Sequence, residues 1–271
     1  MIMLSKMKRS QAAISSDGVR LDLTIPASWS ELSDMQLRYI FSLMNEGYSS
    51  VELKMLFLLR FSGCTVIGRG GFRDQGYMIS KGKDYFLVTP LQFAEVLPAL
   101  EWLDEIPQFP VRLSSWGGVP AVDACLQGVP FESYIIVENL FQGYISRQDD
   151  SFLRQIADVL YPAKWWRRLR RRQDPVVLLS VFFWVSSIKK FLAEQFPDFF
   201  QPVKEESSNL LGGSRDVGSQ LRDAMNAQIR ALTKGDVTKE AEILRLDTWR
   251  ALTELNAQAR EYAELNAKIK N

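Results

Sequence analysis

The sequence predicts a mainly α fold of the α+β kind: a helical body with a small β-hairpin or sheet element, and a C-terminal amphipathic helical extension. Three observations predict it. Capping residues stand before runs whose apolar side chains recur three and four apart, the helical period. Two short strand-like runs flank a glycine-containing turn. After residue 219 the composition shifts to Ala, Leu, Glu, Lys, Arg and Asn, behind a segment rich in Gly and Ser.

Residues 1–18 are expected to form a flexible N-terminus, followed by a body over 19–201. Val19, Leu21, Leu23 and Ile25 alternate with polar residues, which is strand periodicity, and Pro26 ends the run. Ser33 with Gln36, and Ser49 with Glu52, form capping boxes that start two helices. Leu37, Ile40, Phe41 and Met44 share a face of the first helix; the second is apolar almost all round and should be buried. Cys64 to Ile67 reads as a strand and 68–71 (GRGG) as a turn. Tyr77–Ser80 and Tyr85–Val88 flank KGKD as a hairpin. Thr89 caps and Pro90 begins a helix that Pro98 kinks or ends. The stretch 106–120 is rich in Pro, Gly and Ser, with Val111–Leu113 a candidate strand. Helices are expected over 131–144, 151–160 (started by Asp150) and 176–196. The apolar run 175–188 is shorter than a bilayer span and closes at Lys189 and Lys190, so it reads as a buried core helix. FPDFF at 196–200 reads as a cap on the core. A Gly/Ser-rich linker is expected over 202–219, and a helical hairpin or extension over 220–271, with one helix over 220–234 and a longer one over 237–269.

Composition excludes several functions. The chain has 271 residues, 46% of them apolar and 24% charged, within the globular range. Lys and Arg number 33 and Asp and Glu 32, without the positive excess of a protein that coats nucleic acid. There is no histidine. That removes the Ser-His-Asp triad, the Cys-His pair and imidazole metal ligation. The two cysteines, Cys64 and Cys125, are too far apart in sequence for a CxxC motif and read as reduced thiols. The first residues carry basic side chains but no apolar run with a cleavage site, so no secretory signal is read there.

Four features are candidates for function. In the last segment Ala241, Leu244, Ala251, Leu255, Tyr262, Leu265 and Ile269 follow an imperfect heptad interrupted at Thr248 and Gln258. Such a stripe cannot be buried by its own helix. It must pack on the preceding helix, the body, a copy of itself or another protein, and the contact is assigned to Leu244, Leu255, Tyr262 and Leu265. The second feature is AKWWRRLRRRQ at 163–173, where Arg167, Arg168, Arg170, Arg171 and Arg172 lie beside Trp165 and Trp166. Arginines with neighbouring aromatics can hold phosphates and stack on bases, or lie on an anionic membrane. They equally suit a solvated connection or a protein contact. The third is the cluster Gly68, Gly70, Gly71 and Gly76, which lacks the GK[ST] of a phosphate loop and reads as a turn. The fourth is the set of acidic residues able in principle to act as general acid and base, Asp104, Glu105, Asp149 and Asp150 among them. They show no metal-binding spacing and read as surface charge. No cofactor or metal is expected.

WSELSDMQLRYIFSLM (29–44), the helix ending LLRFSG (58–63), GVPFESYIIVENLFQGYI (128–145), LRQIADVLYP (153–162), KKFLAEQFPDFF (189–200) and 225–262 together resemble tail-module proteins of temperate phages and prophages of gut bacteria, in the neighbourhood of the tail assembly chaperones. These are patterns of apolar and capping residues and transfer no site residue. The resemblance implies a non-enzymatic assembly protein of the bacterial host cytoplasm, or one carried on the virion. Its partners would be tail-tube or tape-measure subunits, recognised through the C-terminal helices. The alternative is a nucleic-acid-associated protein that uses 164–172.

Overall fold

A computed structural model of the chain describes residues 10–16, 19–70, 76–165, 174–200 and 226–270. The fold is mainly α with small antiparallel β elements. It divides into two compact units, Met1–Val111 and Arg112–Asn271. The division therefore falls inside the Pro-, Gly- and Ser-rich stretch 106–120. The expected linker 202–219 lies outside the described residues.

In the first unit β1 (Ser10–Ser16) pairs antiparallel with β2 (Val19–Ile25), from Ser10 opposite Ile25 to Ser16 opposite Val19. The segment expected to be flexible thus contains a strand. Its sequence, SQAAISS, carries no apolar alternation, and it is the ladder to β2 that orders it. Helices α1 (Asp34–Asn45) and α2 (Ser50–Phe61) begin at complete capping boxes at Ser33/Gln36 and Ser49/Glu52. The buried face of α1 is Leu37, Ile40, Phe41 and Leu43. Leu43, not Met44, completes it. On α2 the core face is Leu53, Phe57, Leu58 and Leu59, while Val51 is exposed, so this helix is less covered than its composition suggests.

A three-stranded antiparallel sheet follows in the order β3 (Thr65–Gly70), β4 (Gly76–Lys81), β5 (Asp84–Val88). Gly68 and Gly70 belong to β3 and not to a turn. The register slips by one residue between Val66 and Gly68, a bulge that glycine tolerates. The β4–β5 hairpin closes with Lys81 opposite Asp84, and Gly82 takes φ +65°, a conformation costly for an L side chain. Helix α3 (Pro90–Val96) starts at the Thr89 cap and tightens at once into a 3₁₀ segment, Leu97–Asp104, where Pro98 would break an α-helical ladder. Trp29 Nε1 donates to the carbonyls of Trp102 (2.9 Å) and Glu105 (3.0 Å), fixing this segment over the core.

The second unit opens with a two-residue hairpin, β6 (Ser115–Trp116) and β7 (Val119–Pro120), turning at Gly117 and Gly118, both at positive φ. The expected strand at Val111–Leu113 is absent, and the pairing lies a few residues on, where the two glycines permit the turn. Helices α4 (Phe131–Arg147), α5 (Asp150–Leu160) and α6 (Pro175–Gln195) then pack α4 on α5 and α5 on α6. The cap of α5 is Asp149, which accepts from the Ser151 N–H, not Asp150. Helix α6 has 21 residues and is long and apolar enough to cross a membrane, with a mean hydropathy of 1.8. Here Val177, Val181, Trp184, Val185, Ile188 and Leu192 lie in the core of the unit. Three donors pin the loop before α4 to the helices: Tyr161 Oη to the Leu113 carbonyl (3.0 Å), Trp184 Nε1 to that of Ala124 (2.8 Å) and Trp249 Nε1 to that of Cys125 (2.7 Å).

The chain is helical again over 226–233 (α7), then forms a 3₁₀ turn at Val237–Lys239, α8 (Glu240–Arg245) and α9 (Thr248–Lys270). The single helix expected over 237–269 is broken at Leu246 and Asp247. The break has a structural cause. Phe131 N–H donates to the Leu246 carbonyl and Thr248 N–H to the Val129 carbonyl, so the backbone at 246–248 pairs with 129–131 instead of continuing the helix.

Candidate functional site

Helix α9 begins as core and ends in solvent. Its first turn is held by side chains that conform to this break. Asp247 Oδ2 accepts from the Gly128 N–H (2.6 Å), and Asp247 Oδ1 accepts from the Arg250 N–H (3.1 Å), which caps the helix. Thr248, fully buried, donates its hydroxyl to the Val129 carbonyl at 2.7 Å. Thr248 had looked like a flaw in the heptad; it is a hydrogen-bonded anchor. Trp249 packs against Phe191 and Phe196, with ring centroids 6.0 and 5.4 Å away. Ala251, Leu252 and Leu255 are buried. One turn further, Asn256 Oδ1 accepts from the Phe199 N–H (3.0 Å), which satisfies the end of the 196–200 segment. Phe196 there is core, while Phe199 and Phe200 are half-buried and meet edge to face.

Beyond Ala259 this cover stops. Tyr262, Leu265 and Ile269 are 69%, 58% and 81% exposed. A helix advances about 100° per residue, so all three stand within a narrow arc that also contains Ala251 and Leu255. The same stripe is thus core in its first half and bare in its second.

This distribution corrects one of the four expected contact residues. Leu255 is covered by the protein's own body and is not available to a partner. Leu244 is half-buried on α8, beyond the break at 246–247, and does not continue the α9 stripe. Tyr262 and Leu265 stand free, and Ile269, which shares the heptad but was not assigned to the contact, joins them. The sequence carried the signal for Ile269 in its spacing from Tyr262 and Leu265. It carried none for the boundary between covered and bare turns, because that depends on how far the rest of the unit reaches.

The other candidates resolve differently. Arg167, Arg168, Arg170, Arg171 and Arg172 lie outside the described residues; Trp165, at their edge, is exposed. The acidic residues serve structure. Asp104 receives hydrogen bonds from Ser50 and from the buried Lys54, tying the 3₁₀ segment to α2. Burial pushes its carboxyl up, but the Lys54 and Ser50 hydrogen bonds and the Lys54 charge hold it below the usual carboxylate range. Glu138 on α4 pairs with Lys189 on α6. The Asp149 carboxyl is held low by the N–H of Ser151, which it caps. Burial and then the Asp123 charge push the Cys125 thiol up, away from the reactive thiolate. Among the described residues no group of three Cys, Asp or Glu could hold a metal ion. An open cleft of about 300 Å³ lies between α7 and α8, lined by Ile229, Arg230, Thr233, Val237 and Glu240. It contains no converging pair of acids.

No family model, curated protein or solved structure matches the chain.

Proposed function

We propose that this chain is a non-enzymatic interaction or assembly protein that binds partner subunits through the exposed end of α9, in the manner of a chaperone-like protein of a phage or prophage tail. The observation that carries the reading is the continuity of the Ala251–Leu255–Tyr262–Leu265–Ile269 stripe across the edge of the unit, from full burial to exposure. Because its first turns are core, the bare turns are presented on a rigid base, and little order is lost when they are covered. An amphipathic helix presented in this way suits a helical or grooved partner. A tape-measure subunit, itself a long helix, and a tail-tube subunit are the partners this reading names, met in the bacterial host cytoplasm.

The test is co-purification of the tagged full chain with the products of its flanking genes, which this reading expects to include tail-tube and tape-measure genes. Wild type is compared with Leu265→Asp. Capture by wild type, lost in a variant whose circular dichroism and melting are unchanged, supports the proposal. Failure of capture, or capture indifferent to Leu265→Asp, overturns it. Deleting 203–271 would not serve, since it removes the buried Leu252 and Leu255; a cut after Arg260 spares them.

A further inference from the structure

We infer that the exposed end of α9 pairs antiparallel with the same segment of a second copy of this chain. The inference rests on the reading above, since it uses the same stripe: a second copy covers it when no partner subunit is bound, and partner binding displaces that copy.

The charges beside the stripe select that occupant. With Tyr262 and Ile269 at the a positions and Leu265 at d, Glu261 and Lys268 both fall at g, on the same flank. In an antiparallel pair a residues face d residues and g faces g. Setting Tyr262 opposite Leu265 of the other copy also sets Ile269 opposite Gln258 and Glu261 opposite Lys268. Two-fold symmetry makes each of these contacts twice. The other flank then places Ala259 opposite Asn266, with no charge to bury. A parallel pair would stack Tyr262 on Tyr262 and leave Glu261 opposite Asn266, with no opposite charge to meet. Neither Glu261 nor Lys268 is ion-paired among the described residues, and both are exposed.

Burial fixes the register. Sliding the copies by one heptad to set Leu265 opposite Leu255 would need a residue that the body already covers. The register with Tyr262 opposite Leu265 keeps that apolar layer on bare turns and brings Ile269 over the half-buried Gln258, whereas sliding the other way, to set Leu265 opposite Ile269, would face Lys268 with Lys268. Those turns span about 15 Å at 1.5 Å per residue. The buried area is therefore at the small end of specific interfaces, and the dimer is weak and concentration-dependent.

Sedimentation equilibrium of the full chain, up to the highest concentration it tolerates, tests this with Glu261→Lys, Lys268→Glu, the double variant and Leu265→Asp. All three substituted positions are exposed, and circular dichroism checks that each variant keeps its fold. Wild type is expected to dimerise. Each single reversal converts two attractions into two repulsions and should weaken the dimer about tenfold. The double variant should return to within about twofold of wild type, since it restores opposite charges with the order exchanged, and Leu265→Asp should be monomeric. A wild-type chain that stays monomeric overturns the inference. So do a dimer that ignores the single reversals or persists in Leu265→Asp, and a double variant that fails to recover. If flanking-gene products are captured through Leu265 by a chain that never dimerises, the proposed function stands and this inference falls. A dimer without capture gives the converse.

Discussion

Asp104 and Lys54 show how a charge pair can decide local geometry. Lys54 is 6% exposed, beside the core face of α2, and its ammonium meets a carboxylate at the end of the 3₁₀ segment. Replacing Asp104 by Asn leaves a buried ammonium without its anion. We expect a loss of about 2 kcal/mol, less than for a fully buried pair because the carboxylate side is half exposed. The sign with pH follows from the lowered carboxyl. A group whose folded pKa lies below its unfolded value stabilises above the unfolded value, and the stability is lost as pH falls through the folded one. The melting difference between wild type and Asp104→Asn should therefore be full at pH 7 and shrink on acidification below about pH 4; a difference independent of pH would refute the assignment. Gly143 offers a second residue-scale test. A Cβ there would lie 2.7 Å from the Phe152 ring. Gly143→Ala should thus lose the roughly 1 kcal/mol that alanine usually gains in a helix and melt no higher than wild type.

Among the elements, α9 separates folding from contact within one stripe. Leu255→Ala opens a cavity and should cost about 3 kcal/mol in chemical denaturation. Leu265→Ala, two turns and more along the same face, should change stability by less than about 0.5 kcal/mol. Equal effects would mean that the second half is covered after all. The two halves also mark what the sequence discloses. Capping boxes at Ser33 and Ser49, the Thr89 cap, the KGKD hairpin, the apolar period of α1 and the helices α4, α5 and α6 were legible, because each is encoded locally. The break at Leu246–Asp247 was not, since it depends on backbone pairing with residues more than a hundred positions earlier. β1 was missed because its order comes from β2. Of the candidate contact, the stripe was legible and its division was not: Leu255 and Leu265 have the same side chain and lie on the same stripe, and only the rest of the unit distinguishes them.

At the scale of the whole molecule, the division near residue 111 separates a unit with helices, hairpin and sheet from a unit dominated by helices. In the second, the hydrogen bonds of Thr248 and Trp249 to Val129 and Cys125 close loops of 119 and 124 residues. Removing 261–271 should leave its melting temperature within a few degrees, about what a sub-kcal/mol change produces in a domain of this size. Removing 247–271 should abolish cooperative melting of that unit.

The seam between 128–131 and 246–249 also bears on synthesis. As the chain leaves the ribosome, α4, α5 and α6 emerge long before the residues that complete their packing. Until Trp249, Leu252 and Leu255 arrive, the apolar seat that receives them faces water, and Phe191 and Phe196 lack the indole that covers them. Nascent chains stalled just short of 246 should consequently be protease-sensitive and retained by cellular holdases, whereas those stalled with 256 already outside the exit tunnel should not.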